Sequence, residues 1–161
     1  NEIGFNKVES LVTDQSEAVV GYINNEPVQL AGLGEDVNVI AVADFVDMVA
    51  TGIVTNEELI ANDPDMVERF VRATLRGLAD TLNDPDEAYE ISKKFVEGLD
   101  DSRTAVLEAS LTLWDAELLG ETSAGSWEQT QAVLLDIGFL DSSINDLDAA
   151  YTNQFVENAQ P

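Results

Sequence analysis

The segment Tyr22-Ile23-Asn24-Asn25-Glu26-Pro27 places an aromatic ring, two amides and a carboxylate side by side at the end of the apolar run "AVVGY". An asparagine offers a donor and an acceptor together, and an ionised glutamate offers acceptors only. That combination suits a solute bearing amine, ring N–H or hydroxyl donors. Asp44, which follows the run "VNVIAVA", is a second such spot. In open α/β sheets ligands collect outside the carboxyl ends of the strands, where the next helix also directs its N–H groups. The competing reading is structural: Asn25 caps a helix and Asp44 starts a turn.

Covalent and acid–base chemistry finds little support. There is no histidine and no cysteine, which removes the usual general base, the thiol nucleophile and zinc–thiolate sites. No phosphate-cradling Gly-rich loop ending in Lys-Ser/Thr and no His-Glu-x-x-His occur. "GLG" at 32–34 lacks the third glycine of a dinucleotide loop, and no Gly-x-Ser-x-Gly elbow is present. "DSSINDLD" at 141–148 resembles a calcium loop only in acidity, with Asp146 where glycine belongs and Thr152 where the closing glutamate belongs. No cofactor is expected.

The 161 residues suffice for a core, and 45% of them are hydrophobic, so this is no disordered acidic tail. Acids outnumber bases 32 to 7, for a net charge of -25. Nothing here could neutralise phosphates, so nucleic acid is excluded as a partner and anionic membrane surfaces are disfavoured. No apolar stretch approaches a membrane span. The chain opens directly on the strand-like "EIGF", without an initiator Met or a signal peptide. It reads as a piece of something longer, or as a processed product.

The elements that must position these residues fall into two stretches. "NEIGF", "EAVVGYI", "DVNVIAVADF" and "VDMVATGIVT" read as strands or extended pieces, separated by short helices over "NKVESLVTD" and "NEPVQLAGLG". The second helix takes Asn25 as cap, Pro27 in the first turn and Gly32 or Gly34 as its close. This alternation predicts an α/β fold with a short parallel-type sheet. From 56 onward about five helices are expected. "NDPD" occurs at 62–65 and 83–86, so Asp63 and Asp84 cap helices that open on Pro64 and Pro85. The later helices are expected over about 103–119, from a cap at Ser126, and over about 146–158. Phe70, Phe95, Trp114 and Phe155 fall on apolar stripes and are expected in the core. Trp127 staples a helix start, and Arg72 and Arg76 lie on a solvated face.

The stretch "GYINNEPVQLAGLGEDVNVIAVADF" resembles the thiamine-pyrimidine-synthase-like (NMT1/SsuA-like) solute-binding proteins of ABC importers. The following "TGIVTNEELIANDPDMVERFVRATLRGLADTLNDPDEA" is similar to the family's next segment, through Pro64, Val67, Phe70, Ala73, Gly77, Pro85 and Ala88, with Asp84 replacing an asparagine. The resemblance covers roughly residues 1–140. It implies a type II periplasmic-binding-protein fold of two lobes that close on a small molecule by hinge motion. Residues 1–40 would end the second lobe, 41–55 would form the crossover, and 56–161 would be the helical C-terminal part of the first lobe. Tyr22, Asn24, Asn25 and Glu26 would face the cleft, and Asp44 would lie near the hinge. Tyr22 or Phe45 would supply an aromatic wall.

The implied activity is capture of a small heteroaromatic solute, a thiamine precursor or flavin, outside the cytoplasm. An unpaired Glu26 disfavours an anion. The implied partners are the membrane permease and the N-terminal remainder of the same receptor, with self-association of the fragment as an outcome of its uncovered stripes. Two rivals stand beside this reading. One is a pyrimidine synthase of the same superfamily, whose chemistry resembles a case needing the histidine absent here. The other is a helical interaction or scaffold domain without a small ligand.

Overall fold

Prolines and short polar side chains set the helix starts. In the computed structural model, which describes residues 6–114, 116 and 118–160, the first helices are α1 (Lys7–Val12), α2 (Glu26–Gly32) and α3 (Glu57–Asn62). α4 (Pro64–Asn83), α5 (Pro85–Ser92), α6 (Thr104–Trp114), α7 (Ala124–Asp136) and α8 (Gln154–Glu157) follow. Single 3-10 turns lie at Val42–Asp44, Asp101–Arg103 and Leu147–Ala150. The Asp63 carboxylate accepts the Met66 N–H at 3.1 Å and the Asp84 carboxylate accepts the Glu87 N–H at 3.0 Å. Both "NDPD" repeats therefore act as the expected start signals, each filling one of the orphan donors of a first helical turn. α2 ends at Gly32 and the chain turns away at Gly34, whose φ of +83° is one glycine adopts freely. There the Gly34 N–H reaches Ala31 O and the Glu35 N–H reaches Leu30 O, both at 3.0 Å.

The chain divides into two compact units, one of residues 1–40 and 80–115, the other of 41–79 and 116–161. In the first unit α2 packs on α1 and α6, and α5 packs on α6. Leu30 and Tyr89 are buried, and the Tyr89 hydroxyl donates to Asp100 O at 2.6 Å. In the second unit Val67, Val71 and Leu75, one turn apart along α4, pack with Phe155 and Ala159 from the α8 region. Gly120 sits against this core with φ +84°, where a Cβ would come 2.8 Å from Leu75 Cδ2. Asn153 acts as a clip: its Oδ1 accepts the Thr122 N–H at 3.1 Å and its Nδ2 donates to Thr122 O at 2.8 Å. Trp127 and Tyr151 stack at 5.1 Å between centroids, and Trp127 Nε1 donates to Thr122 Oγ1 at 3.0 Å.

Several expectations are corrected. Among the described residues there is no strand, so the short parallel-type sheet is not formed by "EAVVGYI", "DVNVIAVADF" or "VDMVATGIVT". "NEIGF" lies outside the described residues, apart from the sequence itself. A strand exists only through a ladder to a neighbour, and these runs have none: Val20, Ile40 and Val54 are largely exposed. The 46–49 stretch instead hangs on α7. The Asp47 N–H donates to Gln129 Oε1 at 3.1 Å, the Val49 N–H to Thr130 Oγ1 at 2.8 Å, and Ser126 Oγ to the Asp47 carboxylate.

α7 begins one turn earlier than predicted, because Ser123, not Ser126, caps it by accepting the Ser126 N–H. The last helix is broken into a 3-10 turn and the four residues of α8, with the Asn153 clip between them. Phe155 is buried as expected, but Phe70 is 59% and Phe95 82% exposed. Phe70 lies beside the α4 stripe that Val67, Val71 and Leu75 bury. Arg72 pairs with Glu68 on the exposed face. Among the described residues no helix is long and apolar enough to cross a membrane.

Leu75, 3% exposed in the α4 core, sets a test of this packing. Leu75→Ala is expected to lower the unfolding free energy of the chain by about 2–5 kcal/mol. Phe70→Ala is expected to change it by less than about 1 kcal/mol. Urea denaturation of both variants measures the contrast.

Candidate functional site

The polar segment singled out in the sequence becomes the entry to α2. A turn closes when the Asn25 N–H donates to Tyr22 O at 2.9 Å, and Pro27 occupies the first helical turn. Glu26 then folds back instead of extending outward. Its Oε2 accepts the Tyr22 N–H at 2.7 Å, its Oε1 lies 3.5 Å from Lys7 Nζ, and the residue is only 8% exposed. Lys7 Nζ also stands 5.8 Å from the centre of the Tyr22 ring. The carboxylate fits because residue 21 is glycine: a Cβ there would come 2.6 Å from Glu26 Oε2 and 2.7 Å from Cδ.

Burial pushes the Glu26 carboxyl up. The N–H groups of Tyr22 and of Glu26 itself, together with the Lys7 charge, outweigh that effect and hold it below the ordinary glutamate value of 4.5. Glu26 is thus a paired, structural anion, and its charge is answered within the fold.

The neighbouring amides are also placed by the fold. Asn24 Nδ2 donates to Ser110 Oγ at 2.7 Å, and Ser110, buried on α6, donates to Val106 O. Asn24 therefore ties the turn to α6. Asn25 Oδ1 accepts from Gln29 Nε2 at 2.6 Å, one helical turn on, and makes no capping bond of its own. Tyr22 is 60% exposed.

These residues border an open concavity of about 570 Å³ between α1, α2 and the start of α6. Val8, Val12 and Leu33 supply apolar wall; Asn6, Asn25 and Gln29 supply amides; Glu9, Glu26 and Arg103 supply charge. The volume lies in the usual range for small-molecule sites. Of the five residues picked from the sequence, Asn25 and Glu26 line this concavity, while Tyr22 and Asn24 close and seat the turn that leads into α2. Asp44 belongs to the other unit. It is exposed in the 3-10 turn Val42–Asp44, and its carboxylate makes no hydrogen bond or ion pair among the described residues. The other lining residues, Gln29 and Arg103 among them, were not singled out in the sequence. Gln29 was legible as the i+4 partner of Asn25, whereas Arg103 lies far along the chain and carried no signal. Among the described residues no cluster of side chains could hold a metal ion.

Residues 2–88 match the protein family described as "NMT1/THI5 like". The chain belongs to the NMT1/THI5-like family. It is 42% identical over 164 residues to the riboflavin-binding protein RibY of Chloroflexus aurantiacus, covering 96% of this chain and 46% of that protein. It is 28% identical over 93 residues to the 4-amino-5-hydroxymethyl-2-methylpyrimidine phosphate synthase of Legionella pneumophila, covering 55% of this chain and 29% of that protein. The chain therefore spans less than half the length of each of these relatives. No solved structure matches it. The resemblance read from "GYINNEPVQL" and the Pro64–Ala88 pattern is thereby shown, and with it a family of periplasmic-binding-protein fold and a solute-binding relative.

The lowered Glu26 pKa has a definite sign. Its stabilisation is fully present above the unfolded value and is lost as pH falls through the lower folded value. Glu26→Gln is expected to flatten the loss of melting temperature between about pH 6 and about pH 3 relative to the parent. Gly21→Ala is expected to expel the carboxylate and raise its pKa toward 4.5. NMR titration of the Glu26 carboxyl reads the second effect; an unmoved pKa would refute the fit.

Proposed function

We propose that this chain is part of a solute-binding receptor of an ABC uptake system, taking a small heteroaromatic solute of the flavin or thiamine-precursor type. The observation that carries the proposal is the concavity at the entry of α2, where an apolar wall meets the amides of Asn25 and Gln29. The likeness to a riboflavin-binding relative supports it. In this reading residues 1–40 end the second lobe, 41–55 form the crossover and 56–161 belong to the first lobe. Asn25 contacts the solute, Glu26 fixes the loop that presents it, and Tyr22 and Asn24 hold the rim. Asp44 belongs to the crossover. The receptor works outside the cytoplasm and hands its solute to a membrane permease; the N-terminal remainder of the receptor completes the cleft. It is not an enzyme: the synthase relative is the more distant of the two, and this chain has no histidine to move protons.

The pairing of Glu26 by Lys7 changes one part of the sequence argument. An unpaired carboxylate beside the solute would have counted against anions, but this carboxylate is neutralised within the fold. The preference for an uncharged solute rests instead on the whole lining, in which Glu9 and Arg103 add one charge of each sign. A helical interaction domain without a small ligand is the second reading. It draws on the exposure of Phe45, Phe95 and Phe139, at 80%, 82% and 76%. Self-association of the chain would follow from it.

A thermal-shift titration of the full-length receptor with riboflavin and with 4-amino-5-hydroxymethyl-2-methylpyrimidine separates the two. At a hundredfold excess over Kd a ligand adds about 2.7 kcal/mol to stability. The expected result is a saturable rise in melting temperature with one of these solutes, abolished by Asn25→Ala while the unliganded melting temperature changes little. No rise with either, together with dimerisation in sedimentation, would establish the interaction domain.

A further inference from the structure

Among the described residues, three lining side chains keep hydrogen-bonding capacity that no partner uses. The bond from Gln29 Nε2 to Asn25 Oδ1 occupies one atom of each amide. It leaves Asn25 Nδ2 to donate and Gln29 Oε1 to accept. Arg103 lines the same concavity from the turn before α6. Among the described residues its guanidinium makes no ion pair and no hydrogen bond. Asp100, whose carboxyl feels the Arg103 charge, accepts hydrogen bonds from the N–H and hydroxyl of Ser102. A guanidinium can only donate. The three residues together offer a donor, an acceptor and a donor.

Charge decides what kind of solute meets them. Glu26 is answered by Lys7, and Glu9 and Arg103 are one acid and one base around the same concavity. The lining therefore carries no net charge that would favour an ion, in a chain whose overall charge of -25 repels anions. The apolar wall of Val8, Val12 and Leu33 suits a flat ring.

We propose that Asn25, Gln29 and Arg103 are specificity-determining residues that together read the imide edge, C(=O)–N(H)–C(=O), of an uncharged heteroaromatic solute. The two carbonyl oxygens accept from Asn25 Nδ2 and the Arg103 guanidinium, and the ring N–H donates to Gln29 Oε1. An aminopyrimidine presents an amine donor beside a ring nitrogen acceptor. It meets two of the three groups and leaves Arg103 without an acceptor, which is the costlier mismatch. The inference rests on the receptor reading above and selects between its two solute types, in favour of the flavin ring, whose pyrimidine end carries an imide.

The test is a fluorescence titration of the full-length receptor with riboflavin and 3-methylriboflavin, and a calorimetric titration with 4-amino-5-hydroxymethyl-2-methylpyrimidine. The parent is expected to bind riboflavin at least about tenfold more tightly than its N3-methyl form, the size of one lost hydrogen bond in a closed site. Arg103→Gln is expected to weaken riboflavin binding by about tenfold or more, with Arg103→Lys intermediate because it keeps charge and loses the fork. Gln29→Leu is expected to erase the preference for N–H over N–CH₃, a readout that a loss of folding would not produce. Equal binding of both flavins by the parent, or binding by Arg103→Gln within twofold of the parent, overturns the inference and leaves the receptor reading standing. Binding of the aminopyrimidine alone also overturns the imide assignment. A parent that binds none of the three overturns both.

Discussion

The site depends on one buried carboxylate. Glu26 turns inward at the first residue of α2, and three independent groups hold it: the Tyr22 N–H, the Lys7 ammonium and the bare α-carbon face of Gly21. An ionised carboxylate so buried would be costly without partners. Here it answers the positive end of α2 and a lysine from α1 at once. Because α1, the 21–25 turn and α2 converge on it, the concavity they enclose has a fixed mouth. The amides left facing the concavity are then the neighbours of the charge, Asn25 and Gln29.

This division of labour separates shape from recognition. Asn24 is spent on Ser110 and so on the seating of the turn against α6. Asn25 is half spent on Gln29, which orients both amides without exhausting either. A side chain that is half satisfied within the fold arrives with its rotamer chosen, and so loses less freedom when a ligand completes its bonds.

How much was legible in the sequence follows the range of the interaction. Helix starts at Pro64 and Pro85 were readable because a cap is settled within four residues, and the Asp63 and Asp84 bonds are as local as that. Family membership was readable because "GYINNEPVQL" keeps its order and spacing. The strands were not, since an apolar β-branched run acquires a ladder only when a neighbour lies alongside, and among the described residues Val20, Ile40 and Val54 have none. Phe70 failed for a related reason: periodicity names a face of a helix, while its burial requires something to pack against it; Phe95 lies beyond the end of α5 at Ser92, where helical spacing no longer holds. At the candidate site, Asn25 and Glu26, singled out in the sequence as polar residues, both border the concavity. That Glu26 looks inward could not be read, because Lys7 lies nineteen positions earlier and only folding brings it near. Arg103 was invisible for the same reason.

The Asn153 clip has a consequence for how the second unit holds together. A side-chain amide that both gives to and takes from the Thr122 peptide closes a loop across 31 positions. Closing a flexible loop of that length costs chain entropy of about 3 kcal/mol. Trp127 and Tyr151 both lie inside it, so their stacking comes with the ends already gathered and incurs little further closure cost. The two contacts thus reinforce each other as a chelate does, and loosening the amide would free the ring pair with it.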